Sequence, residues 1–358
     1  MSTTERPELV PAAAGLAATI AAETHGEVGV DIVTAVRARG YWELVWLRFR
    51  RDRIAITGGC FILFLVFCAF AGGPIAAHYL GHGPNDQFFA GGVDQKTLLP
   101  VGPFSWISTA PYAGAVGHFP HTLFILGASD TTGHDEFLRL LYGAQVSLEV
   151  ACIATIVGML IGVVLGATAG YFGGWVDTII SRLTEMVMAF PLLLFAIALG
   201  STVGPRLNDV TLGFLGKGVL TLVLVISLFS WFYPARIIRA QVLSLREKEF
   251  IEAARMTGAS DARIIKSHLL PHLVAPIIVY STLVFAQNIL FEAGLSFLGV
   301  GIQLPTASWG NLLSSAPQYY TAQPWLMLWP GLAVLLTTLS FNLLGDGLRD
   351  AFDPRSAR

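Results

Sequence analysis

Six apolar runs decide what this chain can fold into. They lie near residues 54–77, 144–169, 179–202, 218–240, 272–299 and 325–345. Each is long enough to cross roughly 30 Å of hydrocarbon at about 20 residues per helix. Only 13% of the 358 residues are charged and 54% are hydrophobic, against about 25% charged in soluble domains. Lipid is therefore the main solvent. Backbone groups in lipid must satisfy one another, so the expected fold is an all-α membrane protein with six transmembrane helices. The first run follows a polar start of 53 residues and has no clear small-residue cleavage site, so it reads as a span and not a signal peptide.

The distribution of Lys and Arg orients the spans. With the N-terminus inside, eighteen of the 22 basic residues fall on the cytoplasmic side, in 1–53, 170–182, 236–272 and 346–358. Lys96, Arg139, Arg206 and Lys217 fall outside. Cytoplasmic loops carry such an excess, and Arg48, Arg50, Arg51 and Arg53 weigh most because they adjoin a span. Both termini are expected in the cytoplasm, 346–358 forming a short tail there, and a multi-pass membrane protein is implied. Net charge is only −2 and carries little information. Nothing points to nucleic acid.

Along the chain, residues 1–30 lack a period and read as a mobile tail. Residues 31–53 read as an amphipathic interfacial helix, with Trp42 and Trp46 one turn apart and basic residues following. The other reading extends the first span backwards. The outer segment 78–143 contains a stretch, 78–128, too long for a structureless loop, so a local fold or a partner contact is expected. His78 and His82 are four apart, but no ligand set is completed and no metal site is expected. Cys60, Cys68 and Cys152 sit in apolar runs and read as small buried residues; no disulfide framework is present.

Two patterns stand out in the core, 144–345. Gly158, Gly162, Gly166 and Gly170 share one helical face, where small residues let another helix approach closely. Ser281, Asn288, Glu292 and Ser296 form a polar stripe. Polar groups in a membrane face a cavity or a partner helix, so the stripe either lines a translocation pathway or bonds between helices. Glu185, three residues from Arg182, reads as a local ion pair.

Energy-supplying chemistry is missing. GFLGKG at 213–218 lacks P-loop spacing, and no HExxH or GxSxG occurs. No catalytic residues are expected. No span carries the carboxylates or His of a proton relay. A transporter built this way must take its energy from elsewhere.

A polar, basic stretch between two spans supplies the connection. In 246–257, Phe250, Ile251 and Ala254 share a face, Gly258 suits a left-handed helix end, and Ser260 is placed to cap a second helix. Ile264, Ile265, His268 and Leu269 make that helix's apolar face, and Pro271 is expected to break it. Small Ala253 and Ala254 permit close approach.

This loop resembles the EAA motif of the permease subunits of ABC importers: EAA, three residues, Gly, nine residues, I-x-L-P. Glu252, Ala253, Ala254, Gly258, Leu270 and Pro271 match. His268 replaces the Ile, as in the dipeptide, oligopeptide and nickel branch. Further similarity to that branch, and to its C-type subunit, runs through GASDTTGHDEFLRLLYGAQVSL at 127–148, AGYFGGWVD at 169–177 and AFPLLLFAIAL at 189–199. It continues through QVLSLREKEFIEAARMTGAS at 241–260, EAGLSFLGVGIQLPTASWGNLL at 292–313 and FNLLGDGLRDAFDPR at 341–355. His134, where the family has Arg, and a longer outer loop depart from the pattern.

The resemblance implies the type I ABC importer permease fold, with 241–271 as a coupling loop seated in a cytoplasmic ATPase. It implies a second permease, two ATPase subunits that bind ATP and Mg, and an extracytoplasmic substrate-binding protein. Glu252, Ala253, Ala254, Gly258, Ser260, His268, Leu270 and Pro271 are then the coupling residues, and the chain itself binds no cofactor. A peptide is the implied substrate, with nickel or another small solute as the alternative. An ion-coupled secondary transporter would show inverted repeats and broken helices, and a scaffold would not need the loop.

Overall fold

A computed structural model describes residues 40–110, 119–210 and 218–353. The expected tail, 1–30, and residues 31–39 lie outside these. Helix α1 is Tyr41–Phe49, with Trp42 and Trp46 exposed. The chain then breaks. Asp52 adopts an extended backbone and accepts from the amides of Ile54 and Ala55 at 2.9 and 3.1 Å, capping the next helix. That helix, α2 (Arg53–Leu80), contains a π-helical turn at Cys68–Gly72. The cap makes α1 a separate short helix and not an extension of the first span.

The outer segment has a fold of its own. Strands β1 (Ser105–Ser108) and β2 (His121–Phe124) pair antiparallel, Ser105 opposite Phe124. Phe88, Ile107, Phe124 and Ala128 form a small core beneath them. Asp135 then caps α3 (Glu136–Phe172) through the amides of Phe137 and Leu138. This helix of 37 residues starts well before the expected 144.

The expected third span, 179–202, is not one helix. Its place is taken by α4 (Gly174–Ala189) and α5 (Leu192–Val210), and the pair bends by 84°. Pro191 between them lacks a donor and pushes the preceding residue out of helical geometry; Phe190 is extended, φ −78°, ψ 135°. Helix α6 is Val219–Leu245, interrupted at Trp231, and α7 is Glu249–Met256. Helix α8 runs unbroken over Asp261–Phe297. Pro271 does not end a helix there, contrary to expectation. A π-helical stretch, Ile264–Leu269, widens the helix just before it, so the proline ring fits without a break. Short α9 (Trp309–Ser315) and long α10 (Trp325–Phe352) complete the chain.

Among the described residues five helices are long and apolar enough to cross a membrane, six if the bent pair counts as one span. Helix α3 is central. Its Val150 and Ala154 pack with Leu222 and Ile226 of α6, and its Ala144 and Leu148 pack with Ile289 of α8 and buried Trp309 of α9. Cys60 and Cys152 are exposed, contrary to the expectation that they are buried. In a bilayer such apolar surface meets lipid, which is as acceptable to a thiol as a protein core.

Candidate functional site

The loop between α6 and α8 is built with one face packed and one face free. Lys248 opens α7 with an extended backbone. Ile251 and Ala254 turn inward, onto Ile238 and Val242 of α6, Ile264 and Leu269 of α8, and Tyr171 of α3. Gly258 takes the left-handed conformation, φ +79°, and its amide and that of Ala259 return to Arg255 and Ala254 at 3.0 Å. Such closing bonds satisfy the last carbonyls of a helix. Ser260 has the extended backbone of a cap, but its side chain makes no capping bond, unlike the expectation.

Of the residues expected to couple, Glu252, Ala253, Gly258, Ser260 and Pro271 are exposed, and His268 and Leu270 are half-buried. Ala254 is buried in the loop's own core, so it serves packing and does not face a partner. The free face also carries Met256, 83% exposed. Two anchors escaped the sequence reading. The Tyr171 hydroxyl donates to Asp261 Oδ1 at 2.7 Å, and the Arg255 guanidinium sits 5.3 Å over the Tyr171 ring. Arg246 Nη1 adds a bond of 3.2 Å to the Gly170 carbonyl. The loop is thus tied to the end of α3.

The four glycines of α3 form its seam with α6. A Cβ at Gly158 would lie 2.6 Å from Ser230 Cβ, at Gly162 2.7 Å from Pro234 Cβ, at Gly166 2.5 Å from the Ala235 carbonyl, and at Gly170 2.8 Å from the Arg239 carbonyl. Any side chain would force the helices apart. The same stretch of α6 holds α4: Arg239 donates from Nε and Nη2 to the Asp177 carboxylate, Nη2–Oδ2 being 2.6 Å. Arg182 and Glu185 form a local pair of 2.7 Å on the exposed face, and exposed pairs of this kind contribute little.

A cavity of about 520 Å³ opens between α4, α6 and α8. Its wall is aromatic and aliphatic, with Tyr233, Tyr280, Ser230, Gln287 and Asn288 as polar points and no Asp, Glu, Lys, Arg or His among the lining residues. Of the polar stripe, Asn288 alone borders it. Asn288 donates to Thr155 Oγ1 at 2.9 Å and accepts from Ser230 at 3.1 Å, tying α8 to α3 and α6. Ser281 donates to its own helix at the Ile277 carbonyl. Glu292 is fully buried and accepts from Ser296, which also takes the amide of Ile302. These three do not line the cavity.

At the opposite end from the loop, polar groups gather at the start of α3. His82 lies between Asp135, Nε2–Oδ2 3.0 Å, and the Leu80 carbonyl, 3.1 Å from Nδ1. Burial disfavours its charge, but the Asp135 hydrogen bond and charge outweigh burial and raise its pKa. Asp130 accepts from Thr132 and lies 2.7 Å from His134 Nδ1. Burial opposes its ionisation too, yet the His134 and Thr132 hydrogen bonds hold its carboxyl well below the usual carboxylate range. Among the described residues no group of three or more His, Cys, Asp or Glu is placed to hold a metal.

Residues 162–358 match the family model described as binding-protein-dependent transport system inner membrane component. Residues 40–95 match the N-terminal TM domain of oligopeptide transport permease C. The chain is 42% identical to the dipeptide transport system permease protein DppC of Alkalihalophilus pseudofirmus over 63% of this chain and 71% of that protein. It is 36% identical to the glutathione transport system permease protein GsiD of Pectobacterium atrosepticum over 91% of this chain and 95% of that one. A putative peptide transport system permease of Brucella suis is 42% identical over 66% of this chain and 75% of its own length. Among solved structures, an inward-facing MetNI methionine ABC transporter chain aligns at TM-score 0.49 and 17% identity, over 60% of this chain and 96% of that one. The chain belongs to the family of inner membrane components of binding-protein-dependent transport systems, as a multi-pass membrane permease.

Proposed function

We propose that this chain is one permease half of an ATP-driven importer of short peptides in a bacterial cytoplasmic membrane. The free face of α7 and the turn at Gly258 carry this reading: they are exposed, rigidly anchored through Tyr171 and Asp261, and built from the motif that resembles an ATPase-coupling loop. On this reading the loop end is cytoplasmic and receives one of two ATPase subunits, which bind ATP and Mg. Closure of the ATPases pushes on α7. Because Ile251 and Ala254 interlock with α3, α6 and α8, the push reaches the spans without slack, and a second permease completes the pathway.

The uncharged cavity beside Asn288 forms this chain's share of that pathway. Its mix of aromatic rings and amides accepts varied side chains without selecting one, which fits a cargo class and leaves choice to an extracytoplasmic binding protein. Named relatives that carry dipeptides, peptides or glutathione support a peptide cargo. No Asp, Glu, Lys, Arg or His among the described residues lines the cavity wall to serve ion coupling. The test is ATP hydrolysis by the reconstituted complex with and without loaded binding protein. Glu252→Gln is expected to lose most of the stimulation while the basal rate stays. Unchanged stimulation would remove Glu252 from coupling.

A further inference from the structure

A second cavity, about 460 Å³, opens at the end of the bundle away from the coupling loop. Gln87, Asp130, Thr132 and His134 bound one side, Asn311 and Gln318 the other, and Arg139 of α3 lies at its floor. Arg139 is 1% exposed. Among the described residues its only acceptor is Asp130 Oδ2, 3.4 Å from Nη1, which is long for a charge-assisted bond. Nε and Nη2 have no partner among those residues. Glu136, one turn earlier on α3, is also buried and makes no ion pair with it.

The two orphaned donors share one edge of the guanidinium, the fork that binds two oxygens of one group. Buried charged donors without an acceptor are costly and call for an explanation. Asp130 does not supply it, because its contact with the guanidinium is to Nη1 and not to Nε or Nη2. From the geometry we infer that this cavity is a carboxylate site, the free edge of Arg139 taking both oxygens of one carboxylate. A monoanion fits better than a phosphate dianion, since the Asp130 carboxylate lies nearby and repels a second negative charge. A short peptide entering the pathway and an acidic side chain of a docked protein both present such a group. The importer reading matters only for which of these delivers it.

Equilibrium dialysis of the assembled transporter in nanodiscs, without binding protein, tests this with radiolabelled Ala-Ala and its C-terminal amide. The free acid is expected to bind at least about tenfold more tightly than the amide, and Arg139→Lys, which keeps the charge and loses the fork, to abolish the difference. If neither dipeptide binds but Arg139→Lys weakens binding-protein docking about tenfold, the carboxylate comes from the docked protein. If acid and amide bind alike, or neither binds, and docking is unchanged, the guanidinium is held by water alone and the proposal is overturned. The dipeptide pair needs no variant, so a misfolded Arg139→Lys leaves the test intact. Failure here leaves ATPase stimulation untouched, whereas failure of the importer reading appears there first.

Discussion

The Tyr171 hydroxyl and the Asp261 carboxylate meet at 2.7 Å, joining the last turn of α3 to the first turn of α8. Around this bond the loop's apolar core closes. Tyr171→Phe keeps the ring under Arg255 and deletes only the bond. One hydrogen bond to a charged group contributes about 1.5–3 kcal/mol, so amide exchange in 249–263 is expected to speed up roughly ten- to a hundredfold, read by mass spectrometry. Unchanged exchange would mean that the apolar core alone holds the loop.

The α3–α6 seam predicts a sharp position dependence. Gly166→Ala places a methyl 2.5 Å from a backbone carbonyl, whereas Gly294 has open space around it. Overpacking costs about 1–3 kcal/mol, so Gly166→Ala is expected to lower the unfolding temperature of the purified transporter and Gly294→Ala to leave it unchanged. Equal effects would contradict the seam.

Asn288 and Thr155 are coupled across the membrane core. A double-mutant cycle with Asn288→Leu and Thr155→Val should return about 0.6–1.7 kcal/mol of interaction, the range for membrane hydrogen bonds. A value near zero would show that Ser230 suffices for Asn288.

His82 gives the β1–β2 lobe a pH dependence. Its pKa is raised on folding, so its contribution is full below the unfolded value near 6.5 and is lost as pH rises through the folded value. Exchange of the β1 and β2 amides, corrected for intrinsic rate, is expected to quicken as pH rises above about 6.5, and His82→Gln to flatten the profile. A profile of the variant identical to the parent would rule out His82.

Five of the six expected spans and the loop's two faces were legible because apolar length and helical period act locally. Gly158 to Gly170 were legible for the same reason. The break at Pro191 was signalled by Phe190-Pro191 but hidden inside an apolar run. The continuity through Pro271 was not legible, because a π-helical turn leaves no residue signature. Tyr171–Asp261 and Arg239–Asp177 join residues far apart in sequence, and pairings at that distance exist only once helices are packed. The stripe from Ser281 to Ser296 showed its spacing, but which neighbour each residue meets depends on α3, α6 and α9.

The central claim is that the free face of 249–263 receives the ATPase subunit. Single cysteines in a chain with Cys60, Cys68 and Cys152 replaced by Ser test it by crosslinking in the assembled complex. Met256→Cys, on the exposed face, is expected to crosslink efficiently to the ATPase, and more so with ATP bound. Ala254→Cys, two residues away on the packed face, is expected to give no product. Crosslinking from position 254 but not from 256, or from neither in a complex that hydrolyses ATP, would contradict the account.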